Sequence, residues 1–278
     1  MKKTVLFAAA LVAASAVSAQ TGEITSNRGE NWLSQDGDWG LTFDAQPLLN
    51  YAGNLFNGNL SNGGASLTWA NPMFAIQGKK LVDANTAYRG KLRIGFGSNK
   101  TTTLVNAIPQ PTPVPNPPAT VEDVTKNSNF NLVLGAGLEK RIGSTRVVGV
   151  YGGEAYVMLG SSKTTNEYGN ALSAQNPDVT GRVTETKNGS TFGFGLGAFA
   201  GIEWFCAPKV SLSGEYTWGL MMSSTGYAEN TTERWDPTAN NNAGAVVTTT
   251  VEGPSKSSSF GLDTGVTGAS IGINFYFQ

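Results

Sequence analysis

Histidine is absent from this chain, and cysteine occurs only once, at Cys206. Without histidine the protein has no imidazole for acid/base catalysis near neutral pH and no histidine ligand for a metal ion. A single cysteine excludes an intrachain disulfide and a thiolate metal site. Because the commonest catalytic and metal-binding side chains are missing, an enzymatic interpretation would depend on carboxylates alone, and we expect no cofactor.

Charged residues and long apolar runs are also scarce. Charged residues make up 14% of the chain, whereas soluble domains average about 25%. The mean hydropathy is nevertheless only -0.16, and after Gln20 no apolar run approaches the roughly 20 residues of a membrane-spanning helix. The net charge of -1 gives no electrostatic reason to expect a nucleic-acid partner. This composition is typical neither of a soluble enzyme nor of a helical membrane protein.

The N-terminus has the pattern of an export signal. Lys2 and Lys3 precede an apolar segment at 4–16, and the small residues 17–19 form a cleavage site before Gln20. The apolar segment is too short for a spanning helix, and no cysteine lies near the site to carry a lipid anchor. We therefore predict a signal peptide at 1–19, a periplasmic lead-in at 20–37 and one β-domain at 38–278.

Alternation of apolar with small or polar residues runs through the rest of the chain and is clearest near its C-terminus. Between Ala269 and Phe277 every second residue is apolar, which predicts a strand with one face in an apolar phase. Seven earlier segments are also predicted as strands, at 38–45, 66–80, 88–96, 129–139, 146–159, 192–204 and 210–220. The facing of the second is left open because Asn71-Pro72 interrupts it. The apolar parity of the last strand shifts, which predicts a bulge near 263–268.

The connections between these strands alternate in length. Short turns are predicted at 82–85, 143–144 and 206–208, and long polar loops at 99–126, 161–189 and 223–257. Short periplasmic turns and long extracellular loops are typical of outer-membrane barrels. The proline-rich centre of the first long loop, Pro109 to Pro118, favours a stiff polyproline II surface segment.

With its export signal, its alternating turns and loops and its aromatic final strand, the chain resembles the small eight-stranded outer-membrane barrels of the OmpA/OmpX type. The resemblance implies an all-β fold, a closed antiparallel up-and-down transmembrane barrel of eight strands. It also implies a location in the outer membrane of a Gram-negative bacterium. The partners it implies are outer-membrane lipid and the barrel-insertion machinery, which would recognise the C-terminal strand.

The second face of the predicted strands is rich in small polar residues, with a few charges of both signs. A soluble barrel would bury its apolar face and present Lys and Glu to water, whereas small polar residues suit a narrow lumen. Buried charges are normally paired, so we expect a structural ion-pair network inside the barrel, and carboxylate-only hydrolysis by Glu154 and Glu215 is the alternative. The predicted network contains Arg89, Lys91, Arg93, Asp44, Glu154, Glu203 and Glu215, and Glu139 shares the polar face.

Aromatic residues lie near the predicted strand ends. Trp39, Tyr88, Trp204 and Phe277 fall on the side of the short turns, and Trp218 falls towards the opposite side. Amphipathic rings concentrate at both membrane interfaces, so we expect these residues to form two girdles.

The functional expectation is a non-enzymatic outer-membrane barrel that anchors long extracellular loops. It would act in envelope integrity, in adhesion or as an accessory subunit of an outer-membrane assembly, with its loop partner left open. A narrow passive channel for small solutes is the alternative, and a membrane enzyme is a third possibility. The lack of histidine opposes the enzyme, because outer-membrane phospholipases, lipid A acyltransferases and omptin-type proteases are understood to use one.

Overall fold

A computed structural model describes residues 24–45, 76–263 and 268–278. The predicted signal peptide, the start of the lead-in and the part of the second predicted strand before Ile76 lie outside the described residues. The described chain is all-β, and its strands form an antiparallel up-and-down sheet. No helix within these ranges is long and apolar enough to cross a membrane.

The sheet contains eleven strands, which confirms the all-β prediction but not the predicted strand count. A short helical turn, α1 (Ala239–Asn242), connects β8 to β9. In chain order the strands are β1 (Trp39–Asp44), β2 (Ile76–Asp83), β3 (Thr86–Asn106), β4 (Thr120–Ile142), β5 (Val147–Glu167), β6 (Arg182–Ala207), β7 (Val210–Thr225), β8 (Glu229–Asp236), β9 (Ala245–Glu252), β10 (Ser257–Leu262) and β11 (Gly268–Phe277).

Eight of these strands are joined in a partial ring, which we call the ring. Strands β1 to β7 pair in chain order, and β11 pairs with both β7 and β1. The closing pair sets Trp39 opposite Phe277. The strands are staggered, as in inclined strands, because the cross-strand partners that begin at Trp39 continue through Lys80, Tyr88, Leu138, Gly153 and Ala198 to Trp218.

Three additional strands explain why the prediction of eight strands is wrong for the whole sheet. Strands β8 and β9 form a hairpin on the upper part of β6. Strand β10 pairs with the upper part of β7, and β11 pairs with its lower part. The predicted last strand is therefore two strands, separated where the apolar parity shifts. Asp263 ends the first part with a φ of 63°.

The long loops predicted at 99–126, 161–189 and 223–257 are largely strands. Pairing of β3 with β4 continues up to Asn106 and Thr120, so only 107–119 connects them. The connection from β5 to β6 is 168–181. These segments are rich in Thr, Asn and Ser and show no apolar alternation, but the β-branched Thr suits a strand and backbone hydrogen bonds need no apolar face.

Residues 24–37, the predicted lead-in, pack against the ring at its short-turn end. Leu33 is buried in an apolar cluster with Leu81 and Phe205, and Trp32 packs beside it. The backbone N–H of Lys209 donates to the carbonyl of Trp32 at 3.1 Å. This segment therefore covers part of the short-turn end of the ring.

Candidate functional site

The ring has the reverse polarity of a water-soluble protein. On β3, Tyr88 is 58% exposed and Phe96 is 86% exposed, whereas Arg89 between them is only 4% exposed. The buried face is the inner one, because its side chains contact strands on other sides of the ring. The large exposed side chains, which we call the apolar belt, include Leu92, Ile94, Phe96, Phe130, Leu134, Leu138, Leu159, Phe192, Phe194, Leu196, Leu212, Ile271 and Phe275.

Inside the ring, four basic and four acidic side chains form one buried network, which we call the interior charge cluster. Strands β2 to β7 each contribute at least one member, because residues alternate between the two faces of a strand. With equal numbers of each sign, the cluster is balanced. Its members are Lys79, Arg89, Lys91, Glu139, Arg141, Glu154, Glu203 and Glu215.

Arg89 connects strands across the ring. Its guanidinium donates to both carboxylate oxygens of Glu215, at 3.0 and 2.8 Å. It also donates to the amide oxygen of Gln77 at 2.7 Å and lies 3.8 Å from the ring centroid of Phe199. A two-point guanidinium–carboxylate contact is a strong and directional interaction, so Arg89 ties β3 to β7.

A second part of the cluster lies nearer the short-turn end. The ammonium of Lys79 is 3.0 Å from Glu139, and the guanidinium of Arg141 is 2.7 Å from Glu139 and 3.0 Å from Glu203. The hydroxyl of Tyr276 donates to Glu203 at 2.6 Å. These contacts join β2, β4, β6 and β11.

Lys91 and Glu154 form a third part, with 2.8 Å between the ammonium and a carboxylate oxygen. The hydroxyl of Tyr156 donates to Glu154, and Lys91 lies beside the Tyr156 ring. Hydrogen bonds satisfy the charges from several sides, as buried ions require.

A chain of neutral hydrogen bonds crosses the closing strands. Thr42 donates to the side-chain oxygen of Asn274 at 2.6 Å, and the Asn274 amide donates to Ser211 at 3.0 Å. Ser211 in turn donates to Glu203 at 2.5 Å. The closing strands β1 and β11 are thus linked to the charge cluster.

The structure brings five of the seven predicted network residues into the cluster: Arg89, Lys91, Glu154, Glu203 and Glu215. Asp44 is buried and Arg93 is half-buried, and both make contacts of their own. Sequence reasoning missed Lys79 and Arg141. The alternation of Gln77 with Lys79 and of Glu139 with Arg141 is the signal that could have identified them.

The five predicted interface aromatics all lie on the exposed apolar face. Trp39, Tyr88, Trp204, Trp218 and Phe277 are each about half exposed. In β2, whose facing was left open, Ile76 is exposed while Gln77 and Lys79 are buried. The described part of this strand therefore has the same arrangement as its neighbours.

The cluster is suited to holding strands together rather than to chemistry. Glu154 and Glu215, the pair considered for hydrolysis, are each within 2.8 Å of a cation. Carboxylates that neutralise buried cations are not available as a nucleophile or a general base. In the described ranges, no group of three or more His, Cys, Asp or Glu side chains could hold a metal ion.

No protein-family model, curated protein or solved structure matches this chain. The functional argument therefore depends on the geometry of the chain itself.

Proposed function

We propose that this chain is a closed eight-stranded barrel in the outer membrane, where it serves as a non-enzymatic anchor for the structures it presents at the cell surface. The observation that carries this proposal is the reversed polarity of the ring. Charged side chains are buried inside, and large apolar side chains are exposed outside.

The apolar belt needs an apolar environment. Burying a Leu or Phe side chain is worth about 1.5–3 kcal/mol, and soluble proteins rarely expose large contiguous apolar patches. Lipid would remove the belt from water. Closure of the ring would leave no unpaired strand edge in hydrocarbon, where backbone groups cannot bond to water.

The height of the belt fits a bilayer. The exposed apolar residues run from Tyr88 to Phe96 on β3 and from Phe130 to Leu138 on β4, about nine residues each. A transmembrane β-strand needs about 9–11 tilted residues. The exposed aromatics Trp39, Tyr88, Trp204 and Phe277 would form the girdle at the short-turn side, and Trp218 would belong to the opposite girdle.

Beyond the belt, β3 to β6 continue as polar strands that end in the connections 107–119 and 168–181, beside the β8–β9 hairpin. These extensions would stand above the membrane as a platform. A platform of this kind suits envelope integrity, adhesion or attachment to another outer-membrane protein.

We predict that the two ends of the barrel label differently on cells. In a Cys206→Ser background, Thr112→Cys and Asn241→Cys, both exposed beyond the belt, should react with a membrane-impermeant maleimide on intact cells. Ser144→Cys, exposed at a short turn, should react only after the outer membrane is opened. Labelling is measured by gel shift, and the Cys206→Ser protein alone is the control. The reverse pattern would contradict a surface platform.

The alternative, a narrow passive channel, would also use a polar interior. Here the buried rings of Tyr156, Phe199 and Tyr276 fill the interior together with the charge cluster, as expected for a barrel of about eight strands. We predict no stable porin-sized conductance from the pure protein in planar bilayers. Protease protection of the reconstituted protein verifies insertion in the same preparation. A steady large conductance would favour the channel.

A further inference from the structure

Four lysines form a row across β3 to β6, which we call the lysine row: Lys100, Lys126, Lys163 and Lys187. Lys100 is directly opposite Lys126, and Lys163 is directly opposite Lys187. Lys126 and Lys163 are diagonal neighbours, because Lys163 faces Ser128, two residues along β4. Cross-strand neighbours share one face of a sheet. All four side chains are exposed, so four ammonium groups project from the same face.

That face is the outer one. Lys100 follows Phe96 on β3 by four residues, Lys126 precedes Phe130 on β4 by four, and Lys163 follows Leu159 on β5 by four. Even spacing keeps the side chains on the face of the apolar belt. The register shift between Gly160 and Ser162 brings Lys187 of β6 to the same face.

The row lies at a constant height above the belt. Four residues of a strand tilted by about 40° rise by about 10 Å. The headgroup layer on each side of a bilayer is about 5–8 Å thick, and a lysine stem can bend by several ångströms towards an interface. The ammonium groups can therefore reach the phosphates of the adjacent leaflet.

Compensation within the chain is confined to one end of the row. Glu185 lies 2.6 Å from Lys163 and 3.4 Å from Lys187, and Glu229 lies 2.9 Å from Lys187. In the described chain, no ion pair within 4.0 Å involves Lys100 or Lys126. Like charges placed directly opposite each other destabilise a sheet, so an external anion would relieve this pair.

A shallow groove of about 290 Å³ lies between the belt and the row. It is lined by Phe130, Ser128, Ser161, Lys163 and Lys187, among others. Hydroxyl groups beside ammonium groups provide the hydrogen-bond donors that phosphate oxygens accept.

We propose that the lysine row binds the phosphate groups of anionic lipids in the leaflet around the upper end of the barrel. This inference rests on the proposed outer-membrane function. The occupant is a lipid rather than a soluble acidic partner, because the row keeps a constant distance from the belt on successive strands. Basic clusters at a membrane surface attract anionic headgroups by this mechanism.

The test uses the full purified protein in detergent micelles, titrated with phosphatidylglycerol and, separately, with zwitterionic phosphatidylcholine. Bound lipid is counted by native mass spectrometry. The wild type should prefer phosphatidylglycerol, and Lys100→Gln/Lys126→Gln should bind it about tenfold more weakly or worse. The matched control is Arg28→Gln/Lys256→Gln, which changes the charge equally at exposed positions away from the row and should bind like the wild type. Circular dichroism verifies that each variant is folded.

The outcomes separate this inference from the proposed function. Equal loss in both double variants, or no preference for phosphatidylglycerol, would overturn the lysine row as a lipid site even if the wild type inserts into bilayers. Competition by inorganic phosphate as effective as that by the lipid would indicate a small-anion site and also overturn it. A wild type that does not insert would overturn the proposed function, and this inference with it.

Discussion

Arg89→Met is expected to lower the free energy of unfolding by about 3–5 kcal/mol, because removing one partner of a buried ion pair leaves the other charge uncompensated. The substitution keeps an unbranched apolar stem against Phe199. It would leave Glu215 without the guanidinium that now binds both of its oxygens, at 3.0 and 2.8 Å. Urea titration in lipid vesicles, followed by tryptophan fluorescence, measures the change.

The control for this prediction is Lys187→Met, which breaks exposed ion pairs instead of buried ones. Exposed pairs contribute about 0–1 kcal/mol, so this variant should unfold almost like the wild type. Adding Glu215→Gln to Arg89→Met should recover part of the lost stability, because the uncompensated carboxylate is then neutral. If Arg89→Met and Lys187→Met had equal effects, the interior charge cluster would not be a stabilising network.

Gly152→Ala is expected to prevent folding of most of the protein. Gly152 lies on the inner face of β5, opposite Glu139. A Cβ at this position would lie 1.9 Å from the carbonyl oxygen of Leu138 and 2.8 Å from the ring of Phe199. A backbone oxygen cannot move away without breaking strand pairing. The expected cost therefore exceeds the roughly 1–3 kcal/mol of ordinary overpacking.

The adjacent Gly153 gives a matched control for this variant. A Cβ there would be no closer than 3.6 Å to its nearest neighbour, the carbonyl oxygen of Gly197. Gly153→Ala should therefore fold with little change. The yield of folded protein is measured by the gel shift between unheated and heated samples. Normal folding of Gly152→Ala would contradict the close approach of β4 and β5.

Period-two alternation predicted the ring strands well where one face is apolar. On β3, Tyr88, Leu92 and Phe96 are exposed as one set, with Arg89 and Lys91 buried as the other. Alternation could be read there because each face has its own chemistry. The polar continuations of β3 to β6 offered no such contrast, since Thr, Asn and Lys occur on both faces, so these strands were predicted as loops.

The cluster was only partly predictable for a related reason. Lys79 belongs to a strand whose facing could not be assigned from Asn71-Pro72. Arg141 lies at the last turn of its strand, where face assignments are weakest. Pairing across the ring, such as that of Arg89 with Glu215, depends on strand stagger, which no local pattern in the sequence specifies.

The pairing of Trp39 with Phe277 has a consequence for the order of folding. Most strand contacts of the ring join segments that are close in the chain and can form early, but this one joins residues more than two hundred positions apart. Closing such a long loop is slow and entropically costly. Until it closes, β1 and β11 each keep an unpaired edge, and such edges are templates for aggregation. The rate-limiting event is therefore expected to be the meeting of the two ends of the ring, and a chaperone that shields these two edges would accelerate productive folding more than one that acts on any hairpin.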